Sequence, residues 1–367
     1  MSETFKVYPQ VIPNIEDWPI YKLHQDRDAI VRELEEFTLN RLLSKPTSQL
    51  SDIIARAIYM ERIRIKEEPW KVDPPNEKVF WNKIRKNLVK SSLDKDEREA
   101  RKANEQILRK IIHRYSEEIV GTFKIPTFKF ARKFLTIFFN RLLNTAASRN
   151  LRRFYSGSHR IQERLKVYGE IESIRSLITK GTVVVVPTHF SNLDSIMIGY
   201  AMDTIMGLPS FTYGAGLNLY NTGYTAYYMN RLGLYRVDRR KKNSIYLENL
   251  KAMSNLTIQH GTNNLFFPGG TRSRSGALET KLKLGLLGTA VEAQRILYEQ
   301  GKDNKVFIVP LIIGYHFVLE AEYLIEQHLK QTGKELYHNL RDQSYSRWKI
   351  FKFIWKLFSQ GSEIVLS

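Results

Sequence analysis

The sequence predicts an α/β fold with a mixed central sheet flanked by helices, preceded by an N-terminal α-helical domain. Residues 1–150 show apolar side chains at helical spacing and no strand periodicity. The later part of the chain alternates short apolar runs with helical segments, which is the pattern of an α/β sheet. The runs are residues 183–186, 265–267 and 306–313, and the helical segments include 244–260 and 284–298.

Several helices are predicted within the N-terminal domain. Residues 28–44 have helical apolar spacing and stop before Pro46, because proline removes a backbone donor that a helix needs. Ser51 caps a second predicted helix, which ends before Pro69. A third runs over residues 78–113 and includes a highly charged run at 94–110, which is interpreted as a helix face in contact with solvent.

Two other helical segments combine aromatic and basic residues. Residues 128–143 form either a core helix or a helix that faces a membrane or an acyl chain. Residues 347–358 place three lysines on one helical stripe among aromatic and aliphatic side chains, so this segment either docks on the protein's core or lies in a membrane interface. Residues 161–179 are predicted to be helical and lead into the first strand.

Composition restricts the classes of protein and of partner. The 367 residues provide enough chain for a catalytic domain and a smaller one. The formal net charge of +19 predicts an anionic partner, such as a nucleic acid, a membrane surface or an acidic substrate. Cysteine is absent, which excludes disulfides, thiolate chemistry and cysteine-based zinc sites. No run of about 20 apolar residues and no signal peptide is recognised, so the sequence predicts a soluble or peripheral protein.

One histidine follows the apolar run at 183–186. His189 precedes Asp194 by five residues, and Ser191 with Asp194 has the spacing of a capping box at the start of a helix. Side chains five apart do not share a helical face, so the two meet only if His189 lies in the loop and Asp194 in the first helical turn. Such a pair is either a base with its orienting carboxylate, or a satisfied histidine beside a capping aspartate.

A second polar segment follows the apolar run at 265–267. Gly269 and Gly270 let the backbone approach an anion, and Arg272 and Arg274 offer paired donors that match a phosphate. The glycine patterns of nucleotide-binding loops are absent. The segment is therefore either an anion-binding loop or a tight polar hairpin. The basic cluster at 231–242 either adds to the anion-binding loop or is a solvated loop.

Four blocks in this order and spacing resemble the motifs of the glycerolipid acyltransferase family. The family's motifs are a His-x4-Asp pair, a glycine six residues before an arginine, a Gly-x-Arg-Ser loop after an apolar strand, and a Val-Pro strand. The resemblance covers about residues 150–330. The matching residues are His189 and Asp194, Gly233 and Arg239, Gly270 with Arg272 and Ser273, and Val309 with Pro310.

Within this family the chain is most similar to the bacterial membrane glycerol-3-phosphate and the dihydroxyacetone-phosphate acyltransferases. The closer matches are residues 214–219, 272–276 and 313–315. One position departs from the pattern: the third motif usually carries a glutamate before its invariant glycine, and here that position is Gly269. Because that glutamate helps to place the acceptor in the family, its replacement leaves the acceptor open.

The chain is predicted to divide into three parts, and the resemblance implies roles for residues of the second. Apolar spacing predicts a helical N-terminal domain (1–150), the resemblance implies an acyltransferase domain (151–340), and the residue pattern predicts a basic amphipathic C-terminal segment (341–367). His189 and Asp194 would be catalytic. The implied substrate-binding residues are Arg239, Gly270, Arg272, Ser273 and Arg274.

The expected reaction moves an acyl chain from acyl carrier protein or coenzyme A to a glycerol-3-phosphate hydroxyl, giving lysophosphatidic acid. No metal or redox cofactor is required, and a peripheral position at the cytoplasmic face of an anionic membrane is expected. The alternatives are an acyltransferase for lysophosphatidate or dihydroxyacetone phosphate, and a non-enzymatic membrane or nucleic-acid-binding protein. No nucleic-acid partner is expected, because the chain contains no recognisable nucleic-acid-binding module.

Overall fold

The computed structural model describes residues 6–91, 96–145, 165–191, 193–220, 223–270, 272–273, 282–315, 324–325, 328–329 and 364–366. Helices form the regular structure of the described chain up to residue 145, and helices alternate with short strands from residue 165 onward. The structure therefore confirms the predicted α/β class with a helical N-terminal region. Across the described part of the chain, no helix combines the length and the apolar character that crossing a bilayer requires.

The N-terminal region differs from the prediction at two helix ends. The third helix begins at Thr47, directly after Pro46, so Ser51 lies inside it instead of capping it. The predicted helix at 78–113 is two helices, because Asp96 starts a new one by accepting a hydrogen bond from the backbone of Arg98. The helices are α1 (Pro19–Leu23), α2 (Arg27–Leu43), α3 (Thr47–Glu67), α4 (Glu77–Ser91), α5 (Glu97–Ile119) and α6 (Ile125–Thr145).

The region after residue 164 alternates strands with helices. The helix predicted at 161–179 is confirmed over 171–179 and wrong over 165–167, where the structure has a strand; residues 161–164 lie outside the described residues. The strands are β1 (Leu165–Val167), β2 (Gly181–Pro187), β3 (Gly214–Gly216), β4 (Tyr235–Val237), β5 (Asn264–Leu265), β6 (Lys305–Leu311), β7 (Ile313–Tyr315) and β8 (Ile364–Leu366). The helices are α7 (Ile171–Lys180), α8 (Asp194–Thr204), α9 (Gly223–Met229), α10 (Ser244–Gln259) and α11 (Gly288–Glu299).

Strand β2 is the centre of the sheet arrangement. It pairs in parallel with β5 on one side and with β6 on the other. Strands β3 and β4 also pair in parallel, and a parallel bridge between Thr212 and Asn264 joins their edge to β5. The valines at 183–185 are completely buried, as expected where helices cover both faces of a parallel sheet. All of these strands therefore end at the same edge.

A separate mixed sheet uses the end of the chain. Strand β8 lies between β1, to which it is parallel, and β7, to which it is antiparallel. The predicted amphipathic helix at 347–358 lies outside the described residues. The C-terminal strand thus lies close to the carboxyl edge of the parallel sheet, because β7 directly follows β6.

The helical region shares its apolar core with the sheet region. One buried cluster contains side chains of α2, α3 and α5 together with those of α10 and Tyr235. A buried hydrogen bond of 2.7 Å from Thr38 to Asn249 joins α2 to α10. Asn243, which caps α10, donates to Glu61 of α3 at 2.8 Å. These contacts hold the helices against strand β4 and so against the edge where the predicted site residues lie.

Candidate active site

The loop that carries His189 is fixed at the carboxyl end of β2. The strand is a run of valines because it is buried on both faces, and it stops at Pro187. The next residue, Thr188, donates its backbone N–H to Leu311 at 3.1 Å and accepts the N–H of Ile313 on its hydroxyl at 3.0 Å. The loop therefore cannot shift without breaking its contacts with β6 and β7.

Asp194 occupies the first turn of α8 and organises the same loop. Its Oδ2 atom accepts the backbone N–H groups of Phe190 at 2.7 Å and of Ser191 at 2.9 Å. Ser191 accepts the N–H of Leu193 on its hydroxyl at 3.1 Å, not that of Asp194, so only the half of the predicted capping box that Asp194 supplies is formed. The helix start thus folds the chain back toward His189.

His189 and Asp194 meet in the way that their spacing requires. The Nδ1 atom of His189 lies 2.7 Å from Oδ2 of Asp194. Because the carboxylate only accepts hydrogen bonds, Nδ1 carries the proton and Nε2 is left as the basic nitrogen. Asp194 is completely buried, whereas 18% of the His189 side chain is exposed. The pair therefore presents a proton acceptor to solvent and keeps its negative charge inside.

Two further side chains contact the pair, and sequence reasoning assigned a role to neither of them. Tyr315 of β7 donates its hydroxyl to the other carboxylate oxygen of Asp194. The ring of Phe267 lies 4.1 Å from the imidazole, measured between ring centroids. Tyr315 stands in one of the blocks that match the family and Phe267 follows β5, but only the fold shows that both reach the same site.

The glycine-arginine loop lies beside His189. The backbone N–H of Ser273 donates to the carbonyl oxygen of His189 at 2.8 Å. Gly270 has a φ of +69°, a conformation that favours glycine, and its N–H closes a turn onto Phe267 at 2.9 Å. Arg272 directly precedes Ser273, whose N–H makes the contact with His189. Arg274 lies outside the described residues. The structure thus holds the backbone of Ser273 against His189, with Gly270 and Arg272 within three residues of that contact.

The basic cluster at 231–242 separates into structural and solvent-exposed residues. Arg240 forms ion pairs with Asp238 and Asp73, and Lys241 is completely buried in an ion pair with Glu118. Arg239 is exposed and makes no hydrogen bond or ion pair with another described residue. Of the three, Arg239 is the cation that can bind a ligand without breaking a contact of the fold.

Arg239 lies at the same sheet edge as His189 but not in contact with it. It follows β4, which is separated from β2 by β3 and β5. Three strand spacings of about 4.8 Å place the two loops roughly 14 Å apart along the edge. The edge between them is the place where ligands bind in open parallel sheets. No three His, Asp or Glu side chains converge as metal ligands within the described residues.

Comparisons with known proteins agree with this arrangement. The Acyltransferase family model matches residues 152–314. The chain is 25% identical to a glycerol-3-phosphate acyltransferase of Shewanella sp. (strain ANA-3), over 84% of this chain and 34% of that protein. It is 26% identical to one of Aeromonas hydrophila, over 71% of this chain and 29% of that protein. The chain thus spans about a third of the length of these relatives. Residues 152–314 therefore match an acyltransferase domain, and the chain is similar to glycerolipid acyltransferases, as its motifs predict.

Proposed function

We propose that this protein is an acyltransferase that transfers an acyl chain from a thioester of acyl carrier protein or coenzyme A to a hydroxyl of glycerol-3-phosphate, giving lysophosphatidic acid. The observation that carries the proposal is the contact between Nδ1 of His189 and buried Asp194, which leaves Nε2 of a partly exposed imidazole as a base. The names of the relatives support the choice of acceptor.

In the proposed reaction, Nε2 of His189 takes the proton of the acceptor hydroxyl as its oxygen attacks the thioester carbonyl. The carbon–sulfur bond then breaks, and the imidazolium returns the proton to the leaving thiolate. Asp194 stabilises the imidazolium through its charge and keeps the ring in the productive tautomer. Assistance by a general base contributes about 10²–10⁴ to the rate.

The transfer is proposed to be direct, without an acyl-enzyme. The chain has no cysteine, and the hydroxyl of Ser191 faces the backbone N–H of Leu193 at the helix start. A nucleophile activated by His189 would have to stand within hydrogen-bond reach of Nε2. The acceptor hydroxyl is therefore assigned that place.

The acceptor's phosphate is proposed to bind at the edge of the sheet near His189. Arg272 and Ser273 belong to the loop that is held to the carbonyl of His189, and Gly270 allows the turn before them. Arg274 and Arg239 are assigned to the same phosphate, Arg239 from the far side of the edge. Arginine suits this task because its planar group donates two parallel hydrogen bonds to one phosphate.

The proposal also includes the location of the protein and the alternative acceptors. Both thioester carriers are anionic and the product is a lipid, so the net charge of +19 supports a peripheral position on the cytoplasmic face of an anionic membrane. Gly269 stands where the family usually has an acceptor-placing glutamate, so lysophosphatidate and dihydroxyacetone phosphate are the alternative acceptors.

A transfer assay tests the proposal. The full chain is given a labelled acyl thioester with each of the three acceptors, and the lipid product is identified. We expect product with glycerol-3-phosphate and its loss in His189→Ala. The matched control is His260→Ala, which removes an exposed histidine paired with Glu33 on another helix. A wild-type chain that acylates no acceptor, or a His189→Ala variant with near-full activity, would refute the proposal.

The phosphate site has its own test. Arg272→Ala is expected to raise the KM for the acceptor far more than the KM for the thioester. Arg295→Ala, which removes an exposed arginine of α11, is expected to change neither. An equal rise in both KM values for Arg272→Ala would assign that residue to another part of the site.

A further inference from the structure

Helices α6 and α9 carry a surface of large apolar side chains in contact with solvent. Phe130, Phe134 and Ile137 of α6 are 53%, 56% and 49% exposed. Tyr224 and Tyr227 of α9 are 86% and 50% exposed. These five residues are called the aromatic surface below. Contiguous exposed apolar side chains usually mark a site of interaction, because monomeric proteins keep such patches small.

The aromatic surface is continuous across the two helices. Phe130 stacks on Phe134 of its own helix, with centroids 6.5 Å apart, and on Tyr228 of α9, with centroids 5.4 Å apart. The planes of these rings are within 12° of parallel. Backbone hydrogen bonds from Thr122 to Asn230 and from Lys124 to Arg231 join the two segments next to the stack. The rings therefore form one preformed surface.

The other side of α6 is packed against the helix that starts with Asp194. Arg132 forms an ion pair of 2.7 Å with Asp203 of α8, and Tyr200 of α8 donates its hydroxyl to Thr136 at 3.0 Å. The ring of Phe139 lies 5.2 Å from that of Tyr200. These contacts hold α6 in the fold. Packing within the described chain therefore does not explain why the side chains of the aromatic surface are apolar.

The two chain segments that carry the aromatic surface contain basic residues and no acidic ones. The sequence has no Asp or Glu between residues 119 and 162, nor between 204 and 237. Lys124, Lys129 and Lys133 are exposed beside the phenylalanines, and the guanidinium of Arg231 lies 3.8 Å from the ring centroid of Tyr227. Aromatic rings flanked by lysines suit a bilayer interface, where rings enter the headgroup region and cations meet anionic lipids.

Other occupants fit less well. A nucleic acid binds aromatic side chains by stacking bases on their faces. Phe130, however, already has a ring stacked on it from each of two neighbours, Phe134 and Tyr228. A second copy of this chain would bring together two surfaces of the same positive sign, in a chain whose net charge is +19.

We infer that the aromatic surface is the membrane-docking face of this protein and that its partner is a bilayer containing anionic phospholipids. Because α6 packs on α8 at Tyr200 and Asp203, roughly two helical turns from Asp194, docking through α6 places the bilayer on the far side of α6 from α8. The inference names the surface behind the membrane attachment proposed above. It does not depend on acyl transfer, because its test measures binding alone.

The test measures partitioning of the full chain into vesicles of phosphatidylcholine with and without phosphatidylglycerol. We expect binding that requires phosphatidylglycerol and weakens with salt. Burying two half-exposed phenylalanines in the interface predicts about thirtyfold weaker binding for Phe130→Ser with Phe134→Ser. Tyr59→Ser with Tyr298→Ser removes two exposed aromatic residues from α3 and α11 and is expected to bind like the wild type.

Replacing two lysines measures the electrostatic contribution to vesicle binding. Lys129→Gln with Lys133→Gln should weaken binding to phosphatidylglycerol vesicles about thirtyfold. The control is Lys86→Gln with Lys90→Gln, an exposed pair at the same spacing on α4, which should leave binding unchanged. If the phenylalanine variant does not fold, Tyr224→Ser with Tyr227→Ser takes its place.

Three results would overturn the inference. One is a wild-type chain that does not bind phosphatidylglycerol vesicles. Another is wild-type binding by the variants of the aromatic surface, which would locate docking elsewhere in the chain. The last is loss of self-association in those variants with unchanged vesicle binding, which would make the surface an interface between copies. His189→Ala should bind vesicles like the wild type, so this test stands apart from the test of acyl transfer.

Discussion

Replacing Asp194 by asparagine separates the charge of the dyad from its geometry. The two side chains have the same shape, and an amide oxygen can still accept from Nδ1 of His189 and from the N–H groups of Phe190 and Ser191. The amide nitrogen then faces the hydroxyl of Tyr315, which is able to accept a hydrogen bond as well as donate one. The loop is therefore expected to keep its structure, and the negative charge is lost.

The size of the effect follows from the distance between the two charges. Nδ1 and Oδ2 are 2.7 Å apart, but both charges are spread over their groups. Unit charges about 4 Å apart at an effective dielectric constant of about 20 attract each other by about 4 kcal/mol. Removing that attraction from the imidazolium in the transition state should lower kcat by about 10³-fold.

The assay compares kcat and the thermal midpoint of Asp194→Asn with those of a matched control. Asp26→Asn removes a charge from another aspartate that accepts a backbone N–H at a helix start, at 2.9 Å from Ala29, and whose ion-pair partner is Arg32 instead of a histidine. The control should keep full activity. A loss of less than about tenfold in Asp194→Asn, with the fold intact, would show that Asp194 has no electrostatic role.

Three further predictions concern stability. Arg64→Met takes the ion-pair partner from buried Glu61 and one of the partners from Asp73 and from Glu77, and should cost about 3–5 kcal/mol in urea unfolding, whereas Arg109→Met at an exposed ion pair should cost less than about 1 kcal/mol. Burial lowers the pKa of His24 to about 4, so the unfolded chain binds a proton that the folded chain refuses. The free energy of unfolding should therefore fall by up to about 3 kcal/mol as the pH drops from about 6.5 to about 4, and His24→Phe should lose this slope. Gly233→Ala should destabilise the fold by about 2–4 kcal/mol in thermal unfolding, because its φ is +77° and a Cβ would lie 2.4 Å from Ile20. Gly199→Ala, in open space within α8, should stabilise it by about 0.5–1 kcal/mol; a destabilising result there would contradict the reasoning.

The parts of the fold that were predictable have strong local patterns. The valines of β2 and the apolar period of α10 each dictate one structure, because a buried strand and a buried helix need those spacings. Strands β3 and β4 have only three residues each, and β3 contains two glycines, so no periodicity marks them. These two strands form because pairing with other parts of the sheet stabilises them, although their own residues have little tendency to form strands.

The candidate site also has one part that was predictable from the sequence and other parts that were not. The spacing of His189 and Asp194 was enough to expect their contact, since a loop and a first helical turn bring such residues together. The cluster at 239–241 was not resolvable, because three adjacent basic side chains look alike until burial shows that two of them hold the fold. Tyr315 reaches Asp194 across a sheet, and long-range contacts of that kind leave no local pattern.

The most direct test of the proposed function is acyl transfer to glycerol-3-phosphate by the full chain and by His189→Ala, measured side by side. Labelled lysophosphatidic acid should form with the wild-type chain and fall by at least about 10²-fold in the variant, the lower end of what a general base contributes. The variant should keep the thermal midpoint of the wild type. Equal product from both chains would contradict the assignment of His189 as the base.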